Sequence, residues 1–311
     1  MRTLNVASKF IRLEPMIFWR TIFCIMAFSA FALKGREGEH WAFLKPQHHQ
    51  PPKVKQADWP RNAIDHFLLA ELEKSKIVPS PQADKTTLLR RGDLDMTGLP
   101  PSPVQADAFV ADKRPDSYER VVDKLLASPH YGERWGRFWL DAARYADSDG
   151  YSHDAPRVMW RYRDWVIAAF NADQPFDQFV IEQLAGDMLP KATQAQRIAT
   201  GFHRNTQINT EGGVDKEQFR VDSIFDRIAT TGEVMFGLTF GCAQCHDHKF
   251  DPLKQIEFYR MFAYFNQVEE PRVETPTDGE AKARAAHDAK VNALQKKVNG
   301  TGKDTAERNK L

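Results

Sequence analysis

The sequence predicts a mainly α fold: a single helical domain with long ordered loops, followed by a solvated C-terminal helix. Three observations predict it. Apolar residues recur at three- and four-residue intervals over most of the chain, the spacing of one helix face. Ser, Asp, Pro and Gly stand where those segments start and stop, as capping chemistry requires. No alternating run of β-branched residues persists beyond a few positions, so strand signals are sparse.

The elements follow in order. Residues 36–60 read as an extended arm, because Pro46, Pro51, Pro52 and Pro60 fix φ and remove amide donors. Ile64, Phe67, Leu68 and Leu72 share a face, which predicts an amphipathic helix over 63–74. A second helix is expected over 86–95, closed by Gly98 and the Pro100-Pro101 stop, and Ser102-Pro103 opens a third. Val121, Val122, Leu125 and Leu126 support a helix over 118–126, which Pro129 is expected to end. Over 131–145, Trp135, Phe138, Trp139, Leu140 and Ala143 form a face that reads as too hydrophobic to stay wet. Further helices are expected over 161–171, 176–184, 194–202 and 219–236. From Thr275 the composition turns to Ala, Lys, Glu and Asn, and Val291, Leu294 and Val298 make only a thin stripe. Residues 273–311 therefore read as a charged helical tail or linker at which a longer protein has been cut.

With 311 residues, 42% of them hydrophobic, the chain can bury a sizeable core. Its 43 Lys and Arg balance 42 Asp and Glu, which gives no general electrostatic reason to expect nucleic acid or anionic lipid as a partner. The start of the chain carries an address. Arg2, Lys9 and Arg12 precede an apolar run from Ile22 to Leu33, and Ala30-Phe31-Ala32 offers small residues at a signal peptidase spacing. Residues 1–32 are thus expected to be a cleaved signal peptide, because the run is shorter than the roughly 20 residues of a membrane span. The mature protein would be periplasmic or secreted, without a stable membrane span. Cys24 leaves with the signal, and two cysteines remain.

Those two stand in Gly241-Cys242-Ala243-Gln244-Cys245-His246, a C-x-x-C-H motif. The spacing suits covalent haem: two thiols a turn apart reach two vinyl groups, and the next residue offers an imidazole to the iron. Three other readings stay open, namely a structural disulfide, a thioredoxin-like redox pair, and half a zinc site completed by His246 or His248. A distal iron ligand would come from elsewhere. His203 is the first candidate and Met235 the second, ahead of His153, His130 and Met261. A weaker pattern, Asp147-Ser148-Asp149-Gly150, places Asp147 and Asp149 as candidate Ca²⁺ ligands, beside the plainer reading of an acidic turn. Glu211-Gly212-Gly213-Val214-Asp215 reads as a tight loop.

The blocks from His40-Trp41-Ala42-Phe43 to Glu269-Glu270-Pro271 resemble the DUF1549 family, the planctomycete-type cytochrome domain PSCyt2 of exported proteins. The resemblance rests on Leu88-Leu89-Arg90-Arg91, Asp95-Met96-Thr97-Gly98-Leu99-Pro100-Pro101, Tyr131-Gly132-Glu133-Arg134-Trp135 and the run from Ala143 to Tyr151. It continues in Trp160-Arg161-Tyr162-Arg163-Asp164-Trp165, Gln183-Leu184-Ala185-Gly186-Asp187, Gly201-Phe202-His203-Arg204-Asn205 and the run from Cys242 to Pro252. It implies a cytochrome-like signature without an assigned activity, and a downstream DUF1553-type domain for which this chain has no room. It also favours His203 over Met235, since His203 falls in a family block. The expected function is an exported c-type haem protein, transferring electrons to a redox partner protein. The alternatives are a carbohydrate-polymer-processing protein with residues 135–165 lining its cleft, and a scaffold whose C-x-x-C-H binds zinc or closes a disulfide.

Overall fold

The computed structural model describes residues 41–300; the expected signal peptide and Cys24 lie outside them. Eleven α-helices and no β-strand occur among the described residues, so the fold is mainly α. The only pairing of extended backbone there is a single bridge, Ser148 to Pro156.

The arm ends on helix α1, Ala63–Lys74. The Glu73 carboxylate accepts the amides of Lys55 and Gln56, and His66 Nδ1 lies 3.2 Å from the Pro52 carbonyl oxygen. The apolar face expected of α1 is only partly buried: Leu69 is enclosed, whereas Ile64, Phe67 and Leu68 are exposed.

Helices α2 (Lys85–Thr97), α3 (Pro103–Ala111) and α4 (Ser117–Leu126) pack together as a small group. Asp84 caps α2 by accepting the Thr87 amide at 2.9 Å, and Gly98 closes it at φ +75°, a conformation glycine adopts without a Cβ penalty. Ser102 and Gln105 form a reciprocal capping box on α3.

Pro129, expected as a stop, instead opens α5 (Pro129–Ala142). At the first helical position the missing N–H has no bond to lose, and Ser128 caps the turn. Against α5 lies α6 (Trp160–Asn171), then α7 (Phe176–Ala185) and the short α8 (Gln194–Ala199). They share one core: Leu140, Ala143, Tyr162, Val166, Ala169, Phe179 and Phe202 are buried together. Within it the Gln183 side-chain oxygen accepts both the Tyr162 hydroxyl (2.7 Å) and the Trp139 indole N–H (2.8 Å). The α5 face is wetter than expected, because Trp139 packs against the core while Trp135 and Phe138 stay exposed.

The second core belongs to α9 (Lys216–Thr231) and α10 (Gln255–Phe265), with Ile224, Ile228, Phe240, Ala243 and Phe258 at its centre. The expected continuous helix over 219–236 changes character at Gly232, where a π-helical turn runs to Phe236. Glycine is required where it begins, since a Cβ on Gly232 would stand 2.6 Å from Phe240 Cδ1. Helix α11, Asp278–Gly300, buries no residue, as its thin apolar stripe implies. No helix among the described residues is long and apolar enough to cross a membrane.

Candidate functional site

The C-x-x-C-H motif sits between α9 and α10. Gly237 turns the chain at φ +66°, and a 3-10 turn, Phe240–Gln244, carries Cys242. Ala243 is fully buried in the second core, so the turn is anchored by the small residue between the two cysteines. Both thiols are free and exposed. Cys245 follows directly, as the residue that closes the turn. The Gln244 carbonyl accepts Gln255 Nε2 and the Tyr259 hydroxyl, each at 3.1 Å, and this ties the motif to α10.

His246 is exposed, and its Nδ1 lies 2.7 Å from the Asp247 carbonyl oxygen. A backbone carbonyl only accepts, so Nδ1 carries the proton and Nε2 presents a lone pair outward. Asp247 in turn accepts the Gln255 amide at 2.8 Å, which fixes the start of α10. His248 has a different role. Its Nδ1 accepts the amides of Phe250 (3.3 Å) and Asp251 (2.8 Å), while its own amide donates to the Leu253 carbonyl at 2.8 Å. It closes the following loop.

These groups fit covalent haem attachment in kind: two accessible thiols three residues apart, and an imidazole whose free nitrogen is set by a hydrogen bond on the other. The thiols are unpaired, and among the described residues no group of three His, Cys, Asp or Glu side chains is placed to hold a metal ion.

The distal candidates are dispersed. His130 pairs with Glu133 at 2.7 Å on the surface, and His153 Nδ1 lies 3.1 Å from the Thr210 hydroxyl. Met235 packs on the first core and Met261 on the second. His203 lies on a 3-10 turn, Thr200–Asn205, between the rings of Phe202 and Phe265. Both its ring nitrogens are closed off from solvent and lack hydrogen-bond partners. Burial, and secondarily the Arg227 guanidinium, push its pKa down to about 4. Its ring has no hydrogen bond or ring contact to Cys242, Cys245 or His246, and it lacks the acceptor that would orient a metal-bound imidazole.

Sequence reasoning missed the company His203 keeps. Asn205 and Arg227 are 6% and 7% exposed, and both Asn205 amide atoms, Arg227 Nε and Thr231 Oγ1 are likewise buried without partners. Arg227 and Arg204 share the Glu270 carboxylate, which keeps the buried guanidinium paired. Arg227 could have been found by its register, since it stands three residues after Ile224 on the buried side of α9.

The acidic segment is a stapled loop. Asp147 Oδ1 accepts the Tyr145 hydroxyl at 2.6 Å, and burial followed by this bond pushes Tyr145 up to about 12. Asp149 exchanges backbone bonds with Ala155 and Ile208, whereas Asp154 accepts the Gly150 amide at 2.8 Å. Arg157 holds the base by donating to the carbonyls of Ala146, Asn205 and Thr206. Within residues 135–165, half-buried Trp165 stacks on Phe179 at 5.2 Å beside the first core.

No curated protein and no solved structure matches the chain. One family model does, over residues 63–270, under the description "protein of unknown function (DUF1549)". That match covers more than half of the sequence and includes the motif, the His203 turn and the acidic loop, so the chain belongs to the DUF1549 family, PSCyt2.

Proposed function

We propose that this chain is an exported c-type haem protein that carries electrons outside the cytoplasm, with Cys242 and Cys245 as attachment points and His246 as the proximal ligand. One observation carries the reading: two exposed thiols three residues apart are followed directly by an imidazole whose Nε2 is left free by the bond from Nδ1 to Asp247. When bound, the group supplies a one-electron iron couple, with a potential tuned by its axial ligands and surroundings. The chain supplies the rest. Buried Ala243 and the doubly bonded Gln244 carbonyl hold the thiols still, and Asp247 keeps the His246 tautomer fixed. Tyr259 and Phe250 offer exposed aromatic surface on the elements that follow the motif. The basic start, the apolar run and Ala30-Phe31-Ala32 support export to the compartment where haem attachment occurs, and a redox partner would approach the exposed motif.

The test uses the permanence of thioether bonds. Protein made alongside a competent haem-attachment system should show haem-linked peroxidase staining on a denaturing gel, and Cys242→Ala with Cys245→Ala should abolish it. An unstained wild-type band would end the proposal, and stoichiometric zinc in that protein would replace it with the scaffold reading.

A further inference from the structure

A second site lies away from the motif, among α2, α3 and α4. These helices surround a cavity of about 310 Å³ walled by Leu89, Phe109, Val121 and Leu125, with Asp93 on its lining. That volume is at the lower end of small-molecule sites, about 300–1,000 Å³. Asp93 is 5% exposed, and its Oδ2 is buried without a hydrogen-bond partner. Arg114, Arg120 and Lys124 also line the cavity, and the first two are paired with other carboxylates. Lys85 donates to the Phe109 and Asp112 carbonyls, Arg114 forks onto the Asp112 carboxylate, and Arg120 pairs with Asp116 at 2.8 Å. Lys124 acts on Asp93 through its charge only, without a hydrogen bond or ion pair to it. Burial holds the Asp93 carboxyl above its ordinary range. A buried carboxylate without a counter-ion is costly, and an ionised one only accepts hydrogen bonds.

We propose that this cavity binds a small organic cation, an ammonium on an apolar body, with the ammonium against Asp93 and the body against Leu89, Phe109, Val121 and Leu125. The head group must bring donors, because Asp93 supplies only acceptors. A charged donor gains over a neutral one, since charge-assisted hydrogen bonds are about twice as strong. An anionic head would meet a buried carboxylate of its own sign that has no ion-pair partner among the described residues.

Titration of the full protein with benzylamine, benzyl alcohol and benzoate, followed by calorimetry, reads this directly. Benzylamine should bind saturably and at least tenfold more tightly than benzyl alcohol, with benzoate weakest. Asp93→Asn keeps the side-chain shape and should weaken benzylamine at least tenfold while leaving benzyl alcohol within about twofold, about 1.4 kcal/mol per tenfold step. Equal affinity for amine and alcohol in the wild type would overturn the proposal without reference to any variant, as would the absence of saturable benzylamine binding.

Discussion

Gly132→Ala is expected to destabilise the protein by about 3 kcal/mol or more, whereas Gly136→Ala, one turn further along α5, should be neutral or stabilise by up to about 1 kcal/mol. The two glycines meet α6 differently. A Cβ on Gly132 would overlap the Ile167 carbonyl oxygen and stand 2.6 Å from Asn171 Cγ, so backbone would have to move. It would also disturb the bond from the Gly132 amide to Asn171 Oδ1, 2.8 Å long, by which Asn171 clamps the start of α5. Asn171 Nδ2 holds the Pro129 carbonyl at the same place. A Cβ on Gly136 would touch the Ile167 and Val166 side chains at 3.4 and 3.5 Å, an ordinary contact that gains burial. Urea unfolding of both variants measures the difference, and equal stabilities would contradict the packing of α5 on α6.

Acid should unfold the protein partly through His203. Its folded pKa is pushed down to about 4 from the ordinary 6.5, so the neutral ring is the form that folds. Above pH 6.5 neither state holds the proton and the residue contributes no pH dependence. As pH falls below 6.5 the unfolded chain takes up a proton that the folded chain refuses, and stability drops until both are protonated near pH 4. The whole interval corresponds to about 3 kcal/mol. His203→Leu should remove that part of the acid sensitivity and cost little at pH 7, because it deletes two buried nitrogens that have no partners. Unfolding free energies at about pH 7 and about pH 4 for both proteins decide it. An acid loss of the same size in the variant would assign the effect to the carboxylates instead.

Helix positions were legible because their signals are local. Asp84, Ser102 and Thr193 each accept from an amide two or three residues on, and such caps are written in adjacent residues. Faces were less legible, because burial depends on what packs against them. Trp135 and Trp139 stand four residues apart on one helix, yet one meets Phe179 while the other remains exposed. The motif was legible as chemistry, but the hydrogen bond that frees His246 Nε2 was not, since it depends on the turn at Asp247. Asp93 left a trace: it follows Leu89 by four residues and so shares its buried face, where a lone acid breaks the apolar pattern. His203, Asn205, Arg227 and Thr231 left none together, because folding joins residues from two distant segments.

Helix α11 is held at its first turn, where Glu280 accepts Thr277 and pairs with Arg161, and beyond that it has no buried residue. Its 23 residues make a rod about 35 Å long that melts on its own terms. A helix that buries no residue frays gradually, whereas a packed core unfolds as one unit. No tryptophan follows Trp165 in the sequence, so indole emission reports only regions that precede α11, while far-ultraviolet dichroism sums both. Heating should therefore lower ellipticity well before emission changes. A truncation ending near Thr275 should bring the two curves together, so that the calorimetric and van't Hoff enthalpies agree in the shortened chain and disagree in the full one.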